Sequence, residues 1–131
     1  MTADEFISTQ PEERQRILTA LHSAILAKDK AVIPVVEPMM GKEMIIYKER
    51  GYMKYGLSSV KNYMTIHCMP IYMNQVLRDR YQALLPAAKF QKGCINFNKD
   101  EDLPQATADQ LFSDCAAVSI ADMLESRRRH S

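Results

Sequence analysis

The stretch that decides the fold is Gly51–Met69, GYMKYGLSSVKNYMTIHCM. From Tyr52 to Leu57 it alternates, with Met53, Tyr55 and Leu57 on one side and Tyr52, Lys54 and Gly56 on the other. From Tyr63 to Cys68 it alternates again, Met64, Ile66 and Cys68 against Tyr63, Thr65 and His67. Strand side chains point to opposite faces with period two, so the pattern predicts a hairpin with one greasy and one mixed face. Ser58–Asn62 between the runs is turn-like, and Asn62 tolerates the left-handed conformation that hairpins often need. A lone hairpin is marginal in water, so other elements have to cover its greasy side.

Upstream, Thr2-Ala3-Asp4-Glu5 spells a capping box and predicts a helix to about Ser8. Pro11 and Glu12 open a second helix to about Lys28, with Ile17, Leu18, Leu21, Ala24 and Ile25 on one stripe. Pro34 and Pro38 bar a helix through the next segment, where Val35-Val36 starts a short edge strand. Glu43–Lys48 is a fuller strand, apolar on both faces. Downstream, Pro70 begins a helix that Pro86 stops. Gly93–Asn98 reads as the last strand, Ile95 and Phe97 facing one way, Cys94 and Asn96 the other. One helix follows from Pro104 to about Arg127, burying Leu111, Phe112, Cys115, Ala116, Ile120 and Met123. This order predicts an α+β two-layer sandwich: an antiparallel sheet of about five strands covered by N- and C-terminal helices, with one inserted helix.

A chain of 131 residues fits one domain with one core. Its 17 Lys+Arg against 16 Asp+Glu supply no basic field, which argues against nucleic acid as a partner. No apolar run approaches the roughly 20 residues of a membrane helix, and the polar, acidic start does not read as a secretory signal. Cys68, Cys94 and Cys115 are odd in number and widely spaced, which argues against a disulfide framework or a zinc knuckle and fits a reducing cytoplasm.

The run Pro38-Met39-Met40-Gly41, Tyr47, the hairpin continued to Pro70, and Lys92–Phe97 leading to Glu101-Asp102-Leu103 resemble the YdhG-like family. That family is a bacterial domain-of-unknown-function group whose fold is similar to frataxin. The likeness spans roughly Pro11 to Cys115 and marks strands and turns rather than a catalytic signature. It implies a single antiparallel sheet packed by terminal helices. It also raises an iron-chaperone role, for which Asp4, Glu5, Glu12 and Glu13 would be the carboxylates. Arg14, Arg16, Lys28 and Lys30 are interleaved with them, and fixed positive charge opposes a hard cation.

Among chemical candidates, His67 and Cys68 point to opposite faces of a strand, so neither activates the other. Alternation puts Lys54, Tyr63 and His67 on the mixed face; if Cys94 and Asn96 join it, the five form the candidate ligand site, against which stands a plain set of partly solvated sheet residues. Cys68 and Cys115 fall on core stripes and read as packing residues. Cys94 is the thiol to test for reactivity, with Lys92 nearby to lower its pKa. Seven of nine methionines lie between Met39 and Met73; copper-binding thioether clusters exist, but scatter over both faces reads as packing. Tyr52 and Tyr63 read as a cross-strand pair or a homodimer patch. His22 sits at the edge of a helix stripe, and Arg127–His130 closes the final helix in favour of its dipole. No GxGxxG, GxSxG or HExxH occurs. The reading is a cytosolic, non-catalytic binding or interaction module. Its expected partner is a small molecule, a protein or a second copy, and it needs no cofactor unless the iron alternative holds.

Overall fold

The computed structural model describes residues 1–129. Six strands form one open antiparallel sheet: β1 (Ile33–Met39), β2 (Lys42–Glu49), β3 (Tyr52–Ser59), β4 (Met64–Cys68), β5 (Lys89–Gln91) and β6 (Cys94–Phe97). Their spatial order is β1-β2-β3-β4-β6-β5. The helices are α1 (Ala3–Ser8), α2 (Glu12–Lys28), α3 (Met69–Met73), α4 (Gln75–Leu84), α5 (Gln105–Ala116) and α6 (Ile120–Arg129), with a short 3-10 turn at Asp100–Asp102. The class is therefore α+β, as the sequence predicts, with a sixth strand that three residues after Pro86 contribute. None of the described helices is long and apolar enough to cross a membrane.

One side of the sheet carries the main hydrophobic core. Ile45, Tyr47, Leu57, Ile66, Ile95 and Phe97 join one core with Phe6 of α1, Leu18 and Ile25 of α2, Tyr81 of α4 and Phe112 of α5. We call this the inner face. Met44 and Ile46, on the other side, are just as buried but lie outside that core.

Local chemistry sets the element ends. Thr2 and Glu5 close the expected capping box. The tight turns Met40-Gly41 and Arg50-Gly51 have both residues at positive φ, the twist that two-residue hairpins favour; the longer β3–β4 turn does not place Asn62 there. Instead, Arg14 of α2 pins that turn, donating to Ser59 Oγ at 2.8 Å, to the Val60 carbonyl and to the Lys61 carbonyl at 3.1 Å. The inserted helix is two: Asn74 turns extended and accepts from the Leu77 N–H, capping α4. The final helix is also two. Glu49 of β2 accepts from Ser119 Oγ at 2.9 Å and from the Ala121 N–H at 3.2 Å, which seats a new helix start against the sheet. Arg127 lies in α6, and His130 falls outside the described residues.

Two features of the sheet matter below. Opposite Tyr47 and Lys48 of β2 stand Tyr55 and Met53 of β3, so Lys54 has no counterpart and forms a bulge. At the far edge, β1 holds Pro34 and Pro38, which share one alternate set with Val36. Proline is tolerated on an edge strand where its missing N–H would have faced solvent.

Candidate functional site

The bulge reassigns two residues. A strand that gains one residue flips its alternation beyond that point, so Lys54 and Tyr55 both turn inward and Met53 turns outward. Lys54 is therefore not part of the mixed face, as alternation had placed it. Its ammonium is buried and stands 2.8 Å from Asp29 Oδ2, at the C-terminal end of α2. The contact is ionic rather than directed: Lys54 Nζ has no aligned hydrogen-bond acceptor among the described residues. The Tyr55 hydroxyl donates to the same oxygen at 2.7 Å, and burial pushes that phenol well above its ordinary pKa. Cys68 and Cys115, both buried as expected, meet beside this group with their sulfurs 3.6 Å apart. Contact with Cys68 and burial hold the Cys115 thiol protonated.

The other four predicted residues do converge, on the outer face. Strand register sets Gly56, His67 and Cys94 in one row and Ser58, Thr65 and Asn96 in the next. Cys94 Sγ lies 3.2 Å from His67 Nδ1. Thr65 Oγ1 donates to Asn96 Oδ1 at 2.7 Å, and Asn96 Nδ2 donates to Gln91 Oε1 at 3.2 Å. Tyr63 stands exposed between two grooves. One, about 230 Å3, runs past Met39, Met40, Met44, Ser58, Thr65 and His67. The other, about 360 Å3, runs past Asn62, Lys89, Gln91, Asn96 and Asp102.

Burial pushes the His67 imidazole below its ordinary pKa and the Cys94 thiol above its own. Lys92, expected to activate that thiol, is exposed on the β5–β6 turn and does not offset the burial. The pair is thus neutral at pH 7, a poor nucleophile–base couple and an intact pair of donor atoms. Tyr52 does not pair with Tyr63; it sits opposite Glu49, and its hydroxyl accepts from Arg128 at 3.2 Å. His22 points inward, its Nδ1 2.7 Å from the Tyr47 hydroxyl.

Asp4, Glu5, Glu12 and Glu13 sit exposed on the first turns of two successive helices, and Glu5 is engaged in the α1 cap. Among the described residues no three His, Cys, Asp or Glu side chains gather as a metal site. The carboxylates do not fit an iron centre. A further hollow of about 240 Å3 lies between α2 and the start of α5, lined by Ile17, Leu21, Phe97 and Leu103. Arg16 and Asp100, also on its wall, neutralise each other at 2.6 Å.

Methionine placement is the feature that sequence reasoning missed. Met39, Met44 and Met53 belong to the outer face, and Met40 lines the same groove. Met53 lies over Gly56: a Cβ there would come within 2.8 Å of Met53 Cε and 3.3 Å of the His67 ring. Comparison with protein-family models, with curated proteins and with solved structures finds no match.

Proposed function

We propose that this chain is a non-catalytic binding module of the cytoplasm, of the YdhG-like type, that receives a small molecule or a protein segment on the outer face of its sheet. The observation that carries the reading is what gathers on that face. Its residues lie outside the main core, yet it presents hydrogen-bonded polar pairs, apolar floor residues and two grooves meeting at Tyr63. Sites for small ligands combine an apolar surface with a few placed polar groups in this way. The neutral Cys94–His67 pair favours binding over nucleophilic chemistry. The family resemblance rests on the sequence motifs alone. The iron reading draws no support from a convergent ligand set.

The test is a fragment titration followed by backbone-amide NMR on the metal-free protein. Shifts clustering at Tyr63, Thr65, His67, Cys94 and Asn96 are expected. Shifts confined to the hollow between α2 and α5 would place binding elsewhere.

A further inference from the structure

We propose that Cys68 and Cys115 are a dithiol–disulfide couple, an oxidative modification site inside the core that locks α5 to the end of β4. The proposal goes beyond the outer-face reading and does not depend on it.

The geometry comes first. Cys68 closes β4, and Cys115 lies in the last turn of α5, 47 residues further along the chain. The fold brings their Sγ atoms to 3.6 Å, with both side chains buried and both thiols free. A disulfide sets its sulfurs about 2.05 Å apart, so about 1.5 Å of approach remains, shared between two side-chain rotations. Cys94 takes neither place. It lies on the outer face, opposite His67 in the strand register, and its Sγ stands 3.2 Å from that imidazole.

The surroundings favour thiol chemistry over metal binding. Among the described residues no three His, Cys, Asp or Glu side chains gather as a metal site. Contact with Cys68 and burial raise the Cys115 pKa, and the Lys54 charge pulls it down. Exchange runs through a thiolate. The closed pair therefore reacts slowly, and oxidation proceeds as the core opens.

The oxidant is a small-molecule disulfide. One protein thiol gives its proton to solvent, and its thiolate attacks the reagent's S–S bond, forming a mixed disulfide and freeing one reagent thiolate. The second protein thiol loses its proton in turn and attacks the protein sulfur of that mixed disulfide. The Cys68–Cys115 bond forms, the other reagent sulfur leaves, and the two freed reagent sulfurs take up the two protons. The protein loses two electrons and the reagent gains them. A reducing compartment holds the pair as the two thiols seen here, and an oxidising shift closes it. The bond would close a loop containing α3, α4, β5, β6 and most of α5, and so constrain the unfolded chain.

The test equilibrates the whole chain, carrying Cys94→Ser to remove the third thiol, in mixtures of oxidised and reduced dithiothreitol. Samples under native conditions and in unfolding urea are quenched with acid, alkylated and mapped by mass spectrometry. The equilibrium constant for forming the Cys68–Cys115 bond should be larger in the folded state, by about 30-fold or more, the factor that the lower end of typical disulfide stabilisation implies. By linkage the oxidised chain should gain the same factor in its folded-to-unfolded ratio, read as a higher urea midpoint. The unsubstituted chain, mapped in parallel, should hold the same bond and keep Cys94 as a thiol. A ratio of one or less would mean that the folded core holds the two sulfurs apart as packing groups, and would overturn the proposal. A native product joining Cys94 to either partner would overturn it as well.

Discussion

The two faces of this sheet carry similar side chains and give them opposite company. Each has a cysteine at the β4/β6 level: Cys68 inside touches another thiol, and Cys94 outside touches an imidazole. Each has isoleucines and methionines, Ile66 and Met64 inside, Ile46 and Met44 outside, all nearly inaccessible to solvent. Inside, helices from both ends of the chain press on these groups, and one ion pair is buried beside them. Outside, Met44 and Ile46 are buried apart from that core, while Cys94 and His67 are only half-buried. Similar composition thus leads to different surroundings, a shared core on one face and half-buried polar pairs on the other.

The sharpest way to break that contrast is to remove half of the inner ion pair. Lys54→Met strands the Asp29 carboxylate in the core, and loss of about 3–5 kcal/mol is expected from urea unfolding. Joining it with Asp29→Asn should recover part of that loss, because no lone charge is then left buried. Next come matched truncations on the two faces. Ile66→Ala opens a cavity in the main core and should cost about 2–5 kcal/mol; Ile46→Ala should cost roughly half as much, because Ile46 lies outside that core, where the site can collapse more readily. Equal costs would mean that the outer face is packed as rigidly as the inner one.

A smaller effect is expected at Gly56. Its new Cβ in Gly56→Ala would meet Met53 Cε at 2.8 Å, the flexible end of a side chain. A loss of about 1 kcal/mol is expected, with the Met53 methyl displaced from above residue 56.

Protonation should act on both faces with one sign. Burial holds His22 inside and His67 outside below their ordinary value of 6.5. The unfolded chain therefore takes up protons first as pH falls through about 6.5, and stability should drop below that pH and be full above it. His67→Gln should flatten only the outer share, measured as the unfolding midpoint from pH 7.5 to 5.5. Last, a thiol-disulfide reagent should label one cysteine of three in the native state, Cys94, and the other two only on unfolding. That one should react slowly, since burial keeps it protonated.

Much of this was legible from residue order. Period-two alternation located β3 and β4, and the shared face of Tyr63, Thr65, His67, Cys94 and Asn96 followed once adjacent pairing was assumed. The Lys54 bulge was not legible. Alternation supposes an unbroken register, and a lysine between tyrosines carries no local sign that a carboxylate 25 residues earlier awaits it. The break between α5 and α6 depends on Glu49, 70 residues before Ser119, and the helical stripe runs through it unchanged. Strand β5 spans only Lys89–Gln91, too short for periodicity to register. The bulge also moves Met53 to the side opposite the one alternation gives it.

The prolines of β1 carry a consequence for how copies of this chain meet. With Pro34 and Pro38 on the rim, Val36 offers the one amide hydrogen of that alternate set. The opposite rim is a three-residue strand bearing Lys89. An incoming strand finds too few donors at either border to zip onto. Both borders of the six-stranded layer are thus poor templates for edge-to-edge growth.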